Sequence, residues 1–264
     1  MTEIRPDWYK AINVRCSRRN FDKGRHIESE IKDRLHFTCN SFRPYKSARV
    51  EFISEPPDDI FANALGFYGN IKNAPAFFAF IGDMSDSHVQ EKTGYTGEGI
   101  ILEATSLGLG TCWVALTYKA SAVKSMISLD TNEKLIAVSP VGYNTEQWTF
   151  EEKAFSGFGT NHKRNKLSSL VKGPTVEQWP AWAVSAVEAA RLAPSAVNRQ
   201  PWSFEISKNC ITVSTHGAGP EFNVSRRLDC GIAMMHIELG ALSKDTRGKW
   251  KLLKQPEVAK FIVE

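Results

Sequence analysis

Arg15, Ser17 and Arg19 occupy alternate positions near the start of the chain. In an extended or turning segment this spacing lets two guanidinium groups and a hydroxyl converge, and arginine forks match phosphate oxygens bidentately. Phe21, next in the series, suits a core anchor. A second basic cluster, Lys163-Arg164-Asn165-Lys166, invites the same phosphate reading. For either cluster the plainer alternative is a solvated basic turn. Far along the chain, Pro194-Ser195-Ala196-Val197-Asn198-Arg199-Gln200-Pro201-Trp202 sets a hydroxyl and two carboxamides between two prolines, with a Trp behind them. Prolines fix φ and cannot continue a helix, so Ser195, Asn198 and Gln200 are held on a rigid connection suited to the polar edge of a planar ligand. The plainer alternative here is a helix-to-strand loop capped by Ser195.

Other chemistries find no support. Cys16 and Cys112 have no His within their motifs, and the six scattered histidines show no H-x-x-x-H, so no metal site is indicated. No G-x-S-x-G marks a hydrolase elbow, and no P-loop is present. Gly108-Leu109-Gly110 follows an apolar helical run instead of opening one, which rules out a dinucleotide fingerprint. No pair of carboxylates stands apart from the surface acids. With phosphate and planar-ring signals but no side-chain chemistry, a bound cofactor is the natural carrier of reactivity.

Composition narrows the class further. The 264 residues are 42% hydrophobic and 23% charged, an ordinary soluble balance. A net charge of +4 is too small for the footprint of a nucleic-acid binder. Five widely spread cysteines without C-x-x-C argue against a disulfide framework or zinc site and suit a reducing compartment. The first residues have no apolar signal-peptide core, and no apolar run reaches the roughly 18 residues of a membrane span. A cytoplasmic location without membrane contact is expected.

The elements that must position these residues follow from periodicity. Helices are predicted over 7–14, 26–35, 96–109, 120–127, 179–191 and 228–242. Strands are predicted over 50–53, 76–82, 134–143, 204–206 and 211–213. The run 76–82 is continuously apolar, as a strand buried on both faces is. Lys172-Gly173-Pro174 is linker-like, and a basic tail follows residue 242. Gly99-Ile100 and Leu107-Gly108 recur with the spacing of Gly231-Ile232 and Leu239-Gly240. Asn40-Ser41-Phe42-Arg43-Pro44-Tyr45 before one strand parallels Asn198-Arg199-Gln200-Pro201-Trp202 before another. A duplicated unit is expected, with residues 1–172 as the first repeat and 173–264 as a trimmed second, packed about a pseudo-two-fold axis.

Taken in order, these segments resemble the FMN-dependent nitroreductase family. The shared signs are R-x-S-x-R-x-F at 15–21, the Ala74-Pro75 strand entry, L-G-L-G-x-x-W at 107–113, Gly142-Tyr143, the basic cluster at 163–166 and A-A-R-x-A-P-S-A-x-N-x-Q-P-W at 189–202. Ordinary members carry the last motif early and form homodimers whose FMN sites use both subunits. Here the early position, residues 39–45, has lost Pro-Ser and Gln, and the intact copy lies in the second repeat. This layout resembles the putative TM nitroreductase subgroup. The resemblance implies an α+β nitroreductase-like fold, an antiparallel-rich mixed sheet wrapped by helices, with two fused repeats standing for a homodimer. It implies a monomer with one FMN site, the phosphate end coming from the first repeat and the Pro194 turn from the second.

By the same resemblance, Arg15, Ser17 and Arg19, helped by Lys163 or Arg164, would hold the phosphate and ribityl end. Ser195, Asn198 and Gln200 would contact the isoalloxazine and ribityl hydroxyls, with the Pro194 backbone against the ring. Trp113, Val114 and Ala115 would lie along the flavin, Ala115 donating its backbone N–H near N5. Gly69 or Asn70 would read the pyrimidine edge. NAD(P)H would be the cosubstrate and a nitroaromatic, quinone or similar small molecule the acceptor, with no catalytic side chain. The alternatives are a flavin reductase or reductive dehalogenase-like enzyme, a non-catalytic flavin-binding protein, or a degenerate member without flavin.

Overall fold

The computed structural model describes residues 4–57, 60–61, 71–148, 152–153, 163–173, 175–217 and 223–264. Two sheets flank a helical centre. The first half contributes helices α1 (Pro6–Val14), α2 (Ser29–Ser41), α3 (Val89–Ser106) and α4 (Ala120–Lys124). Its strands are β1 (Ala48–Ser54), β2 (Ala76–Asp83), β3 (Gly110–Thr111) and β4 (Glu133–Gly142), paired antiparallel in the order β1-β2-β4-β3. The rest of the chain adds α5 (Leu167–Leu170), β5 (Val171–Lys172), α6 (Ala181–Arg191), β6 (Trp202–Ile206), β7 (Cys210–Thr215), α7 (Arg226–Leu242), β8 (Gly248–Leu252) and β9 (Glu257–Val263). Its sheet runs β5-β6-β7-β9-β8, antiparallel except for the β5-β6 pair. The antiparallel-rich α+β architecture is thus present, distributed over two sheets. Lys172, the last residue of the first repeat as read from the sequence, pairs with Glu205 in the second sheet.

The apolar run at β2 shows its two-sided burial directly. Ala76, Phe78 and Phe80 enter the large core under the helices, while Phe77, Ala79 and Ile81 enter a smaller core on the opposite face. Alternation along a strand sends successive side chains to opposite faces, so an unbroken apolar run is what two cores require. Each buried Phe contributes about 2–3 kcal/mol of transfer free energy.

α3 and α7 form the centre. Arg227 bonds Glu91 and His236 meets Glu98, so contacts rise together along both helices and the two run in the same direction. Their backbones touch at two glycines. A Cβ on Gly94 would stand 2.1 Å from Leu228 O, and one on Gly231 would stand 2.0 Å from Glu91 O. Gly99, which the repeat matches to Gly231, instead lies against Phe42 and Trp8. The C-terminus of α3 is a Schellman turn: Gly108, at φ +81°, donates to Thr105 O at 3.0 Å, and Leu109 donates to Ala104 O at 3.0 Å.

Four expectations need correction. α2 begins later than residue 26 and runs on through Cys39, Asn40 and Ser41, so half of the early turn motif is helix. α3 begins at Val89, seven residues before the predicted start, because the glycines that look like breakers serve close packing, Gly94 against α7 and Gly97 against Trp113 and Phe80. α4 ends at Lys124 instead of residue 127. The basic tail is a β-hairpin whose second strand, β9, inserts between β7 and β8 and buries Val258, Ala259 and Phe261. Among the described residues, no helix is long and apolar enough to cross a membrane.

Candidate functional site

The chain leaves α1 at Arg15, whose φ of −61° and ψ of 124° turn it into an extended path. That path runs beside β3: Ser17 bridges Thr111 in parallel register, and Arg18 N–H donates to Thr111 O at 2.9 Å. Arg15 is buried, while Ser17 and Arg19 are half-exposed. Arg18 breaks the expected alternation. Its Nε donates to the buried Glu152 at 3.2 Å and its Nη2 to Thr145 O at 2.9 Å, and its guanidinium lies 4.9 Å from the Trp148 ring centre. Glu152 also accepts the N–H groups of Arg19 (2.7 Å) and Asn20 (3.1 Å), which pins the segment from below.

Among the described residues, Arg15 finds no such carboxylate. Its Nε is buried without a hydrogen-bond partner, and so is the Nε of Arg164. Burial, then the charges of Arg15 and Arg191, depress the Arg164 guanidinium to about 10. Arg164 is fixed through its other nitrogens: Nη1 donates to Asn198 Oδ1, and Nη2 donates to Leu192 O at 2.9 Å. Arg191 is paired with Glu188 at 2.8 Å, whereas among the described residues no carboxylate bonds Arg15 or Arg164, and two such cations form a site that an anion completes.

The Pro194 turn is rigid for reasons of its own. Val197, Asn198 and Gln200 all have left-handed backbones, at φ of 51°, 55° and 48°. A β-branched Val in that region is strained, and the surrounding bonds must hold it there. Ser195 Oγ accepts from Gln200 N–H at 2.9 Å. Below the turn, the buried Asp229 accepts from Ala196 N–H at 3.0 Å and from Arg199 Nε at 2.7 Å. Burial raises the Asp229 carboxyl to about 6 against the opposing pull of Arg199 and Ala196.

Asn198 and Gln200 are engaged with protein. Asn198 Nδ2 donates to Lys163 O at 2.9 Å, Gln200 Nε2 donates to the same carbonyl at 3.0 Å, and Gln200 Oε1 accepts from Asn165 N–H at 2.8 Å. The two carboxamides thus stitch the basic segment 163–165 to the turn and aim Arg164. The Lys163 side chain is exposed and Pro194 is buried.

On the third side, Trp113 stacks on Phe80 with ring centres 4.1 Å apart and donates from Nε1 to Glu98 at 2.8 Å. Val114 uses both backbone groups in bridging Val138, at 2.9 and 2.8 Å. Among the described residues, the half-exposed Ala115 N–H has no such partner. The structure therefore joins the 15–19 segment, the 111–115 segment, Arg164 and the Pro194 turn. Gly69 and Asn70 lie outside the described residues.

Three buried arrangements escape motif reading: Arg18–Glu152, Arg199–Asp229 and Glu98–His236. The last left a trace in the sequence, since Glu98 and His236 each interrupt an otherwise apolar helical stretch, and a buried polar group needs a partner.

The match to a family model extends over residues 7–241, and that family is described as "Putative TM nitroreductase". A structure from Thermotoga maritima msb8, titled a putative nitroreductase, aligns over 100% of this chain and 96% of its own, with a TM-score of 0.65 and 22% identity, a likeness of fold. An FMN-dependent nitroreductase from Clostridium difficile R20291 aligns over 53% of this chain and 88% of its own, with a TM-score of 0.43 and 18% identity. A nitroreductase with bound FMN from Bacteroides fragilis NCTC 9343 aligns over 55% and 91%, with a TM-score of 0.42 and 14% identity. Curated protein sequences give no match. With a family model extending over nearly the whole sequence and a fold relative aligned along all of it, the chain belongs to the putative TM nitroreductase family.

Proposed function

We propose that the chain is an FMN-dependent oxidoreductase that takes electrons from NAD(P)H and delivers them to nitroaromatic, quinone or similar small acceptors. The observation that carries this reading is the pair of arginines, Arg15 and Arg164, whose Nε–H groups are buried and have no partner among the described residues, while burial and then the charge of Arg15 depress the basicity of Arg164. A phosphate monoester brings about −1.5 to −2 charges and three acceptor oxygens, which fits that donor set. Membership of a nitroreductase family points the same way.

When bound, FMN supplies the two-electron chemistry that no constellation of side chains here offers. Arg15 and Arg164 hold its phosphate, with Ser17 and Arg19 on the same extended segment and Lys163 at the rim. Asn198 and Gln200 act at one remove, by fixing the segment that carries Arg164. Ser195 accepts from Gln200 N–H, which leaves its own proton free to donate toward the cofactor. The Ala115 N–H, on the segment that would lie along the ring, would offer it a hydrogen-bond donor that favours negative charge there. No side chain need act as acid or base. The single chain, in this reading, does as a monomer what two subunits do in ordinary relatives.

Protein loaded with FMN and freed of excess should remain yellow. Anaerobic NAD(P)H should bleach it, and a nitroaromatic or quinone should restore the colour. A flavin that stays bound yet is not bleached by either nicotinamide cofactor would contradict the enzymatic reading.

A further inference from the structure

Glu98 on α3 is fully buried and both its oxygens are engaged. Oε2 accepts from Trp113 Nε1 at 2.8 Å, and Oε1 meets Nε2 of the fully buried His236, on α7, at 2.9 Å. The other ring nitrogen, Nδ1, lies 2.9 Å from Ala189 O in the last turn of α6. A carbonyl only accepts, so Nδ1 carries a proton. The contact between Nε2 and Oε1 then holds one further proton, whichever atom it sits on, and the pair is neutral overall. Full satisfaction of this kind is what a low-dielectric interior demands of polar groups.

The result is an unbroken line of hydrogen bonds, Trp113 to Glu98 to His236 to Ala189. One end is the segment that carries the Ala115 N–H. The other lies five residues before Pro194, on the helix that runs into the turn. We propose that Glu98 and His236 are positioning residues for the flavin site, a neutral buried dyad that sets segment 113–115 against the Pro194 turn. This rests on the flavin reading given above.

The other side of the α3–α7 contact provides a comparison within the same chain. There Trp250 Nε1, on β8, donates to Glu238 Oε2 at 2.7 Å, and Tyr95 on α3 donates to the same oxygen at 2.6 Å. An indole, a carboxylate on the central helix that precedes it and a polar group from the opposite helix recur, but the third member is a phenol. A phenol ends the line; an imidazole with two nitrogens continues it. Packing across the two helices is served by either, so the continuation to Ala189 is what the site-bearing side adds.

Glutamine at position 98 separates geometry from charge. Its oxygen can accept from Trp113, its amide can donate to Nε2 of neutral His236, and Nδ1–H still reaches Ala189. Alanine at 98 or 236 breaks the line. FMN titration of folded protein should therefore give Glu98→Gln an affinity within about threefold of wild type, while Glu98→Ala and His236→Ala weaken it about tenfold or more. Alanine variants that fold and bind FMN as wild type does, or a Glu98→Gln variant as weak as Glu98→Ala, would overturn the proposal. Hydrogen exchange of the Trp113 indole N–H gives a readout independent of flavin and of the alanine variants' folding. It should be slow in wild type and in Glu98→Gln, and fast exchange in either would also overturn the proposal. A wild type that binds no FMN but keeps this slow indole removes the flavin reading and leaves the dyad standing.

Discussion

Arg164 loses basicity to burial and to the charges of Arg15 and Arg191, and that loss marks where an anion is wanted. Asp229 stands on the other side of the same site and titrates in reach of ordinary buffers. Its folded value, about 6, lies above the 3.8 of a free carboxyl, so between those values the folded chain holds a proton that the unfolded chain has released. By linkage its contribution to stability is full in acid and is lost as pH rises through about 6. Its grip on the turn runs the opposite way, because the charged form accepts more strongly from Ala196 and Arg199. FMN affinity should then fall as pH drops below about 6, by more than the loss due to the phosphate's own second ionisation. Asp229→Asn keeps the phosphate effect and removes the carboxyl. Titrations from pH 5 to 8 should give the variant the shallower profile; superimposable profiles would contradict this role. Arg15, Ser17 and the Pro194 motif were legible because their chemistry is local in sequence. Arg18 was not, since its carboxylate partner is 134 residues away and nothing near it announces a pair.

At the scale of elements, the contact between α3 and α7 is tight enough to be tested by one methyl group. The added Cβ of Gly94→Ala would fall on Leu228 backbone, which cannot rotate away, and the helices must separate. Overpacking of this kind costs about 3 kcal/mol, more than the gain from replacing a helical glycine. Urea unfolding should show a lowered midpoint with little change in slope, and an unchanged midpoint would mean that the helices do not touch there. Close approaches also explain why the start of α3 was hidden: local propensity counts Gly94, Gly97 and Gly99 as breakers, and only their tertiary neighbours reveal their use, α7 at Gly94, Trp113 and Phe80 at Gly97, Phe42 and Trp8 at Gly99. β2 and the Schellman turn were legible because strand period and Gly108 are local signals. The terminal hairpin was not: Lys249 and Lys251 do alternate with Trp250 and Leu252 along β8, but the density of lysines makes so short a segment look like a tail.

At the scale of the molecule, two sheets enclose one pair of central helices, and each helix carries a carboxylate that takes an indole N–H and meets a polar side chain of the other. The two sides are equipped differently. The intact Pro194 turn bonds Arg164, whereas the early turn motif has been drawn partly into α2. The fold was legible from motif order, since each motif belongs to a fixed place in it. The asymmetry was legible from the displaced Pro-Ser turn, but the way Asn198 and Gln200 serve it was not, because a motif does not say whether a carboxamide faces a ligand or the protein. One FMN site per chain is the central claim, and its direct test is an FMN titration of wild type beside Arg164→Ala. Saturation at one FMN per chain is expected, with affinity lowered about 100-fold in the variant by loss of a charge-assisted phosphate contact. No binding by wild type, two FMN per chain, or equal affinity in the variant would contradict it.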